Sequence, residues 1–380
     1  MPIIFLLLTY SGLLKWIPLP FDVSTTCLLI LIIYSLITML SKKTFISRGY
    51  YIAILLYLAF ITWYFFTTIY TVSENYYIDK SIRLLFNIFS FILPYFIIKD
   101  MNDIKLIVNF LSIMGFIIVT SIFIVYFFFD IEMIFYNDLF NFPNYLSISS
   151  FLGVVFLINL SKISFLPQLL KFLIIISFLL LRARGPLAFL MILLIIYITK
   201  YMSFRKKILS FILIILLVIF ALNWSGASHT IHRFAIMGSD DYSTYSRELH
   251  IVRSMRIISD HFLFGCGIGS YGICANNIDQ RYYPHNIFLE VFCESGFIGL
   301  IVFLLFLAYV FKLIYNEFIL GKQSTNPFIL SILYCCLYLF LNAMKSNNFT
   351  DNRIFFAWLG ILILIITNRK KFENNEDKIS

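Results

Sequence analysis

All five histidines of the chain lie in one stretch: His229, His232, His250, His261 and His285. Arg233, Arg247, Arg253, Arg256 and Arg281 stand among them, and lysine is absent between Trp224 and His285. An imidazole changes charge near neutral pH and can take a proton from a hydroxyl. A guanidinium grips phosphate or carboxylate with two parallel hydrogen bonds, which an ammonium cannot do. Together these residue types suit chemistry on an anionic substrate.

The densest segment runs from Tyr283 to Gly299. Pro284 and His285 end the polar stretch, and an apolar helix is expected to begin. Asn286, Glu290 and Glu294 recur at i, i+4 and i+8, so they share one face of it. Carboxyls just inside a spanning helix are expensive and mark functional sites by default. The alternative is a structural polar contact to a neighbouring helix, with Asn342 or Arg353 as partner. His285, at the mouth of that helix, is the candidate general base.

A second basic pair, Arg182 and Arg184, sits in a Leu-Arg-Ala-Arg-Gly-Pro turn between two apolar spans. It is either an outward-facing anion site or a case of arginine side chains snorkelling to the interface. Residues 243–260 are expected to form an amphipathic helix near the membrane surface, with Arg247 and His250 one turn apart. Arg253 and Arg256 on it are expected to meet solvent or lipid headgroups. Gly265, Gly267, Gly269 and Gly272 lack the flanking strand that a nucleotide-binding loop needs, so a backbone turn is expected. No HExxH or CxxC pattern suggests a metal. Cys266 and Cys274 either pair, closing a short Gly-rich ring, or remain two free thiols.

The elements that must position these groups are membrane helices. The chain has 380 residues, 61% hydrophobic and 13% charged. No soluble domain of that size could hide so much apolar side chain. An all-α, polytopic fold follows, with about twelve spans at 3–19, 23–40, 50–70, 82–98, 104–129, 145–160, 165–181, 186–201, 207–223, 287–315, 327–344 and 354–367. The first lacks a basic leader and a cleavage site and is expected to be retained. Residues 1–380 form a single domain, with 224–285 as one large external loop. The net charge of +9 collects at Lys42, Lys43 and Arg48, at Arg205, Lys206 and Lys207, and at Arg369, Lys370 and Lys371. Each cluster flanks a span, as the positive-inside rule requires of cytoplasmic loops, so nucleic acid is not the partner. Both termini are then cytoplasmic, and the connections bearing Glu74, Asp79, Asp130, Glu132 and Asp138 are external.

These pieces resemble the bacterial O-antigen ligase and O-antigen polymerase superfamily: Arg184-Gly185, then Arg247, then Gly265-Cys266-Gly267-Ile268-Gly269, then His285-Asn286, then Glu294-Ser295-Gly296. Ala183 departs from the family pattern, where a Ser is common. The resemblance implies a metal-independent, inverting glycosyltransferase on the outer face of the inner membrane, needing no cofactor. Such enzymes take a glycan from undecaprenyl pyrophosphate. The ligase branch gives it to lipid A-core, and the polymerase branch to another lipid-linked repeat unit. Tyr-Pro-His-Asn followed by Phe-Leu-Glu is closer to the polymerases. Arg184 and Arg247, with Arg182, would then hold the pyrophosphate, His285 would deprotonate the acceptor, and Asn286, Glu290 and Glu294 would orient or charge-balance the site. Donor and acceptor lipids, membrane lipid, and a chain-length regulator and flippase of the same pathway are the implied partners. A polysaccharide-lipid transporter and a non-catalytic partner of a polysaccharide machine are the rival classes. A transporter would usually show mid-membrane charges and an internal repeat.

Overall fold

The computed structural model describes residues 1–14, 21–41, 46–128, 145–162, 164–181, 183–223, 242–320 and 326–368. Among them every regular element is helical. Arg182, His229 and His232 lie outside the described residues, as do the acidic groups at 130–138 and the basic residues at 42–43 and 369–371.

Among the described residues, six helices are long and apolar enough to cross a membrane: Val23–Leu40, Arg48–Ile69, Tyr76–Ile97, Met101–Phe128, Arg184–Tyr201 and Ile287–Ile319. Five more apolar helices are shorter, among them Tyr145–Ile158 and Arg353–Thr367. The sequence led us to expect about twelve spans. Five of the expected spans fall on the shorter helices, and 207–223 falls on the helix Phe204–Asn223. At about 1.5 Å per residue, a helix of 14 residues falls short of a hydrocarbon layer about 30 Å thick. One boundary moved in the other direction. The span expected from Ile82 begins at Tyr76, so a polar turn and a half enters the bundle.

We number the helices that matter here in chain order. They are α1 (Pro2–Tyr10), α2 (Val23–Ser41), α3 (Arg48–Phe66), α4 (Tyr76–Ile92), α5 (Tyr145–Ile158), α6 (Arg184–Tyr201), α7 (Tyr242–Asp260), α8 (Ile287–Tyr315), α9 (Pro327–Ala343) and α10 (Arg353–Thr367). Helix α8 packs along α3, α10 along α4, α9 along α5, and α1 along α2. From Phe355 to Ile365 every residue of α10 is buried. A helix apolar on all sides belongs inside the bundle, and α10 is its axis.

Helix α8 carries the feature that shapes the external end. Gly296 has φ +67, which breaks the helical ladder within a continuous rod. Exposed backbone carbonyls at membrane depth are not tolerated unless protein covers them. Here the Gly-rich turn does so. Cys266 N donates to Cys293 O at 2.8 Å, and Gly267 N donates to Glu294 O at 2.9 Å. Trp63 Nε1 on α3 donates to Ser295 O at 2.9 Å. The two backbones meet so closely that a Cβ on Gly265 would come within 2.5 Å of Glu294 O, and one on Gly296 within 2.5 Å of Gly265 N. Both glycines also have positive φ, so an alanine at either would be strained twice over. The glycines serve a backbone joint.

Candidate functional site

His285 follows Pro284 and has φ 57, in the left-handed region where non-glycine residues are uncommon. The chain reverses there and enters α8. Asn286 caps the helix, its Oδ1 accepting from Phe288 N at 2.9 Å and Leu289 N at 3.2 Å. That cap engages the carbonyl oxygen of a residue that the sequence placed at the substrate.

The His285 ring is half-buried, and its Nδ1 lies 3.3 Å from Ser346 O. A carbonyl can only accept, so Nδ1 carries the hydrogen and Nε2 presents a lone pair. Burial pushes the imidazole below its ordinary value. The Ser346 carbonyl opposes that, and the Arg247 and Arg281 charges add to it. The ring is therefore neutral at physiological pH, as a general base must be. Beside it stands His250 on α7, with ring centroids 5.3 Å apart. His250 is 3% exposed, and its Nδ1 is 3.1 Å from Tyr271 Oη. Burial comes first, then the repulsion that would arise if His285 were also protonated, then the Arg253 charge; together they pull it down to about 4. The sequence singled out His285 and treated His250 as peripheral; the two pack as a pair.

Two of the expected arginines reach this end of the bundle. Arg184 is the first residue of α6 and is buried. A cation in a helix's first turn opposes the helix dipole, so the position is not one that helix formation itself favours. Arg247, one turn before His250 on α7, acts electrostatically on His285. Arg253, expected to face solvent or headgroups, instead donates from Nη1 to Tyr282 Oη at 3.0 Å. Arg281 joins Arg83 in an ion pair to Asp351, with Arg83 Nη1 3.1 Å from Asp351 Oδ1. Cys266 and Cys274 are free thiols.

Glu290 and Glu294 are fully buried, and their partner is neither Asn342 nor Arg353. Asn342 Nδ2 donates to Tyr338 O at 2.8 Å, and Arg353 Nη1 lies 3.3 Å from Ser24 Oγ. The partner is Lys80 on α4, itself fully buried. Its Nζ donates to Glu290 Oε1 and lies 2.8 Å from the Glu294 carboxylate. Tyr64 Oη on α3 donates to Glu294 Oε2 at 2.5 Å, and Phe349 N donates to Glu290 Oε2 at 2.7 Å. The network locks three things together: the first turns of α8 behind His285, the helix pair α3 and α4, and the segment between α9 and α10. That segment also supplies Ser346 O. Sequence reasoning missed Lys80 because Tyr-Ile-Asp-Lys-Ser reads as loop. The one available signal was its spacing from Tyr76, Leu84 and Asn87, all on the buried face of α4.

Fold and sequence composition define a multi-pass helical membrane protein with a cluster of arginines and histidine at one end. Residues 169–304 of it match the model of the O-antigen ligase family. The match is consistent with the O-antigen polymerase and ligase superfamily. It contains Arg184, Arg247, the Gly-rich turn, His285, Glu290 and Glu294, whereas Lys80 and the 344–352 segment fall outside it. No curated protein matches the chain.

Proposed function

We propose that the protein polymerises undecaprenyl-pyrophosphate-linked repeat units on the periplasmic face of a bacterial inner membrane. One observation carries this reading. His285, with Nδ1 on a backbone carbonyl and Nε2 open, faces the charge of Arg247 at the end of the bundle where α6 presents Arg184.

The chemistry needs nothing further of the chain. An acceptor sugar hydroxyl attacks the anomeric carbon of the donor glycan. The new C–O bond forms as the bond to the pyrophosphate oxygen breaks, and the hydroxyl proton goes to His285 Nε2. The pyrophosphate leaves with the electron pair, and Arg184 and Arg247, with Arg182, stabilise the charge that grows on it. A positioned base contributes roughly 10²- to 10⁴-fold. Attack on the face opposite the leaving group inverts the anomeric centre, and a metal is not required. Glu290 and Glu294 act behind the site, through Lys80, and Asn286 through its helix cap.

The ends of the helices support the orientation. Arg48 opens α3, Lys312 closes α8 and Arg205 follows α6, so each lies a helix length from the site end. A Cβ at Gly49 would sit 3.6 Å from Leu313 Cδ2 and 2.8 Å from Thr367 Cγ2, which puts these basic ends together. That end is the cytoplasmic one, with both termini on that side and residues 224–285 as the periplasmic loop of a single twelve-span domain. Donor and acceptor lipids bind from the membrane, and a flippase and a chain-length regulator work beside the protein.

The family match favours a second reading, ligation of the finished glycan to lipid A-core. One assay separates the two. Purified full-length protein given an undecaprenyl-pyrophosphate-linked repeat unit alone should build a ladder of lipid-linked oligomers. Single transfers that occur only when lipid A-core is added would establish the ligase instead, and no transfer to either acceptor would refute both.

A further inference from the structure

Lys345 belongs to none of the motifs in the polar loop, and it comes to the site from a different part of the chain. It follows α9, where Lys345 N donates to Asn342 O at 3.1 Å and Ser346 N to the same carbonyl at 2.9 Å. A cation at a helix C-terminus is electrostatically favoured, so the position folds readily. The side chain then turns toward α6. Its Nζ lies 3.7 Å from where a Cβ on Gly185 would stand, directly beside Arg184, and 5.7 Å from the Phe189 ring centroid.

Among the described residues no charge of opposite sign is seen to draw the ammonium there. Burial pulls its pKa down, and among the described residues the charges acting on it are those of Arg247 and Arg184, which pull it down further. Three cations from three elements thus come to one end of the bundle. An anion with several oxygens is the class of ligand that such a set suits. The residue after Lys345 is the one whose carbonyl orients His285. Two adjacent residues therefore set both a cation and the base, and Glu290 holds the same connection further on, through Phe349 N.

We propose that Lys345 is a third contact to the pyrophosphate of the lipid-linked donor, a proposal that rests on the glycosyl-transfer reading above. Two forked guanidiniums suit the bidentate edges of one phosphate. A compact ammonium suits a bridging position between two, as a point charge. Lys345 would then distinguish a lipid pyrophosphate from a lipid monophosphate, and it would stabilise the leaving group as charge develops there.

The test is equilibrium binding of full-length protein in nanodiscs to undecaprenyl pyrophosphate and to undecaprenyl monophosphate. It compares wild type with Lys345→Met, Lys345→Arg and Arg184→Ala, each first checked for an unchanged melting temperature. Lys345→Met should weaken the pyrophosphate lipid about tenfold or more, the size of one lost charge-assisted contact, and should change monophosphate binding little. Lys345→Arg should recover part of the loss. If Lys345→Met binds the pyrophosphate lipid as wild type does while Arg184→Ala does not, the third contact is wrong and the site stands. Equal losses for both lipids would remove its discriminating role. Wild-type protein that fails to bind the pyrophosphate lipid would overturn the site together with the proposal.

Discussion

Lys80 Nζ lies 2.8 Å from the Glu294 carboxylate, with both side chains fully buried in the helix bundle. Glu290 completes the group, so one ammonium faces two carboxyls. Breaking such a network from one side leaves uncompensated charge, which typically costs about 3–5 kcal/mol. Lys80→Met should therefore lower the melting temperature and the abundance of the protein sharply. Adding Glu290→Gln and Glu294→Gln should recover much of the loss, because the partners are then neutral. Thermal unfolding of detergent-purified variants, followed by fluorescence-detected size exclusion, measures this. A Lys80→Met protein as stable as wild type would show that the network contributes nothing net.

The orientation gives a second prediction. Alkaline-phosphatase fusions after Ser239 should be active, since the enzyme works only outside the cytoplasm, and fusions after Phe204 should not. The reverse pattern would place Arg184 and His285 on the cytoplasmic side, away from periplasmic glycans.

The arginines give a third. Arg247→Lys keeps the charge and loses the fork, so it should lose most glycan transfer if the contact is bidentate. Arg184→Ala should lose at least as much, because no charge remains. Transfer assays at matched protein abundance are the measurement. Full activity in Arg184→Ala or Arg247→Ala would rule out an anion clamp at that residue.

Much of this site was legible in the sequence, for a physical reason. His285 and Arg184 are polar residues stranded beside apolar runs, and hydropathy makes them conspicuous, whereas Arg247 stands out as one of the arginines of a polar stretch without lysine. The helix Tyr242–Asp260 was legible too, because amphipathic spacing marks it. Lys80 and Lys345 were hidden because each lies next to residues that read as connection. What brings them to this end of the bundle is packing across 210 residues, from Lys80 to Glu290, and across 160, from Lys345 to Gly185. No local pattern encodes such distances. The length of each helix was less legible, because hydropathy does not see where a helix stops. The kink at Gly296 was hidden for a related reason, since Glu-Ser-Gly within an apolar run resembles a continuous helix until the Gly-rich turn is docked against it.

His285 gives the last prediction. Its Nδ1 on Ser346 O leaves Nε2 to take the acceptor's proton, so His285→Ala should abolish transfer, by roughly 10²-fold or more. Binding of the lipid donor should survive, since the cations remain. The pH dependence carries the sign. Burial and neighbouring positive charge lower the pKa of His285, so the neutral base persists below the ordinary histidine range. The acid limb of kcat/KM should therefore lie below pH 6.5, the unperturbed histidine value. Arg247→Ala should move that limb toward higher pH, because a positive charge that disfavours the imidazolium is gone. His250 has a separate signature. Its pKa, about 4 when folded, is also depressed, so the unfolded chain binds its proton first and stability is lost as pH falls from about 6.5 toward 4. His250→Phe should flatten that loss of stability, and activity at neutral pH should fall only as far as His285 loses its packing partner. His261, exposed and away from this pair, should tolerate alanine. Near-normal chain growth in cells carrying His285→Ala would disprove the base, and an acid limb unmoved in Arg247→Ala would separate that arginine from it.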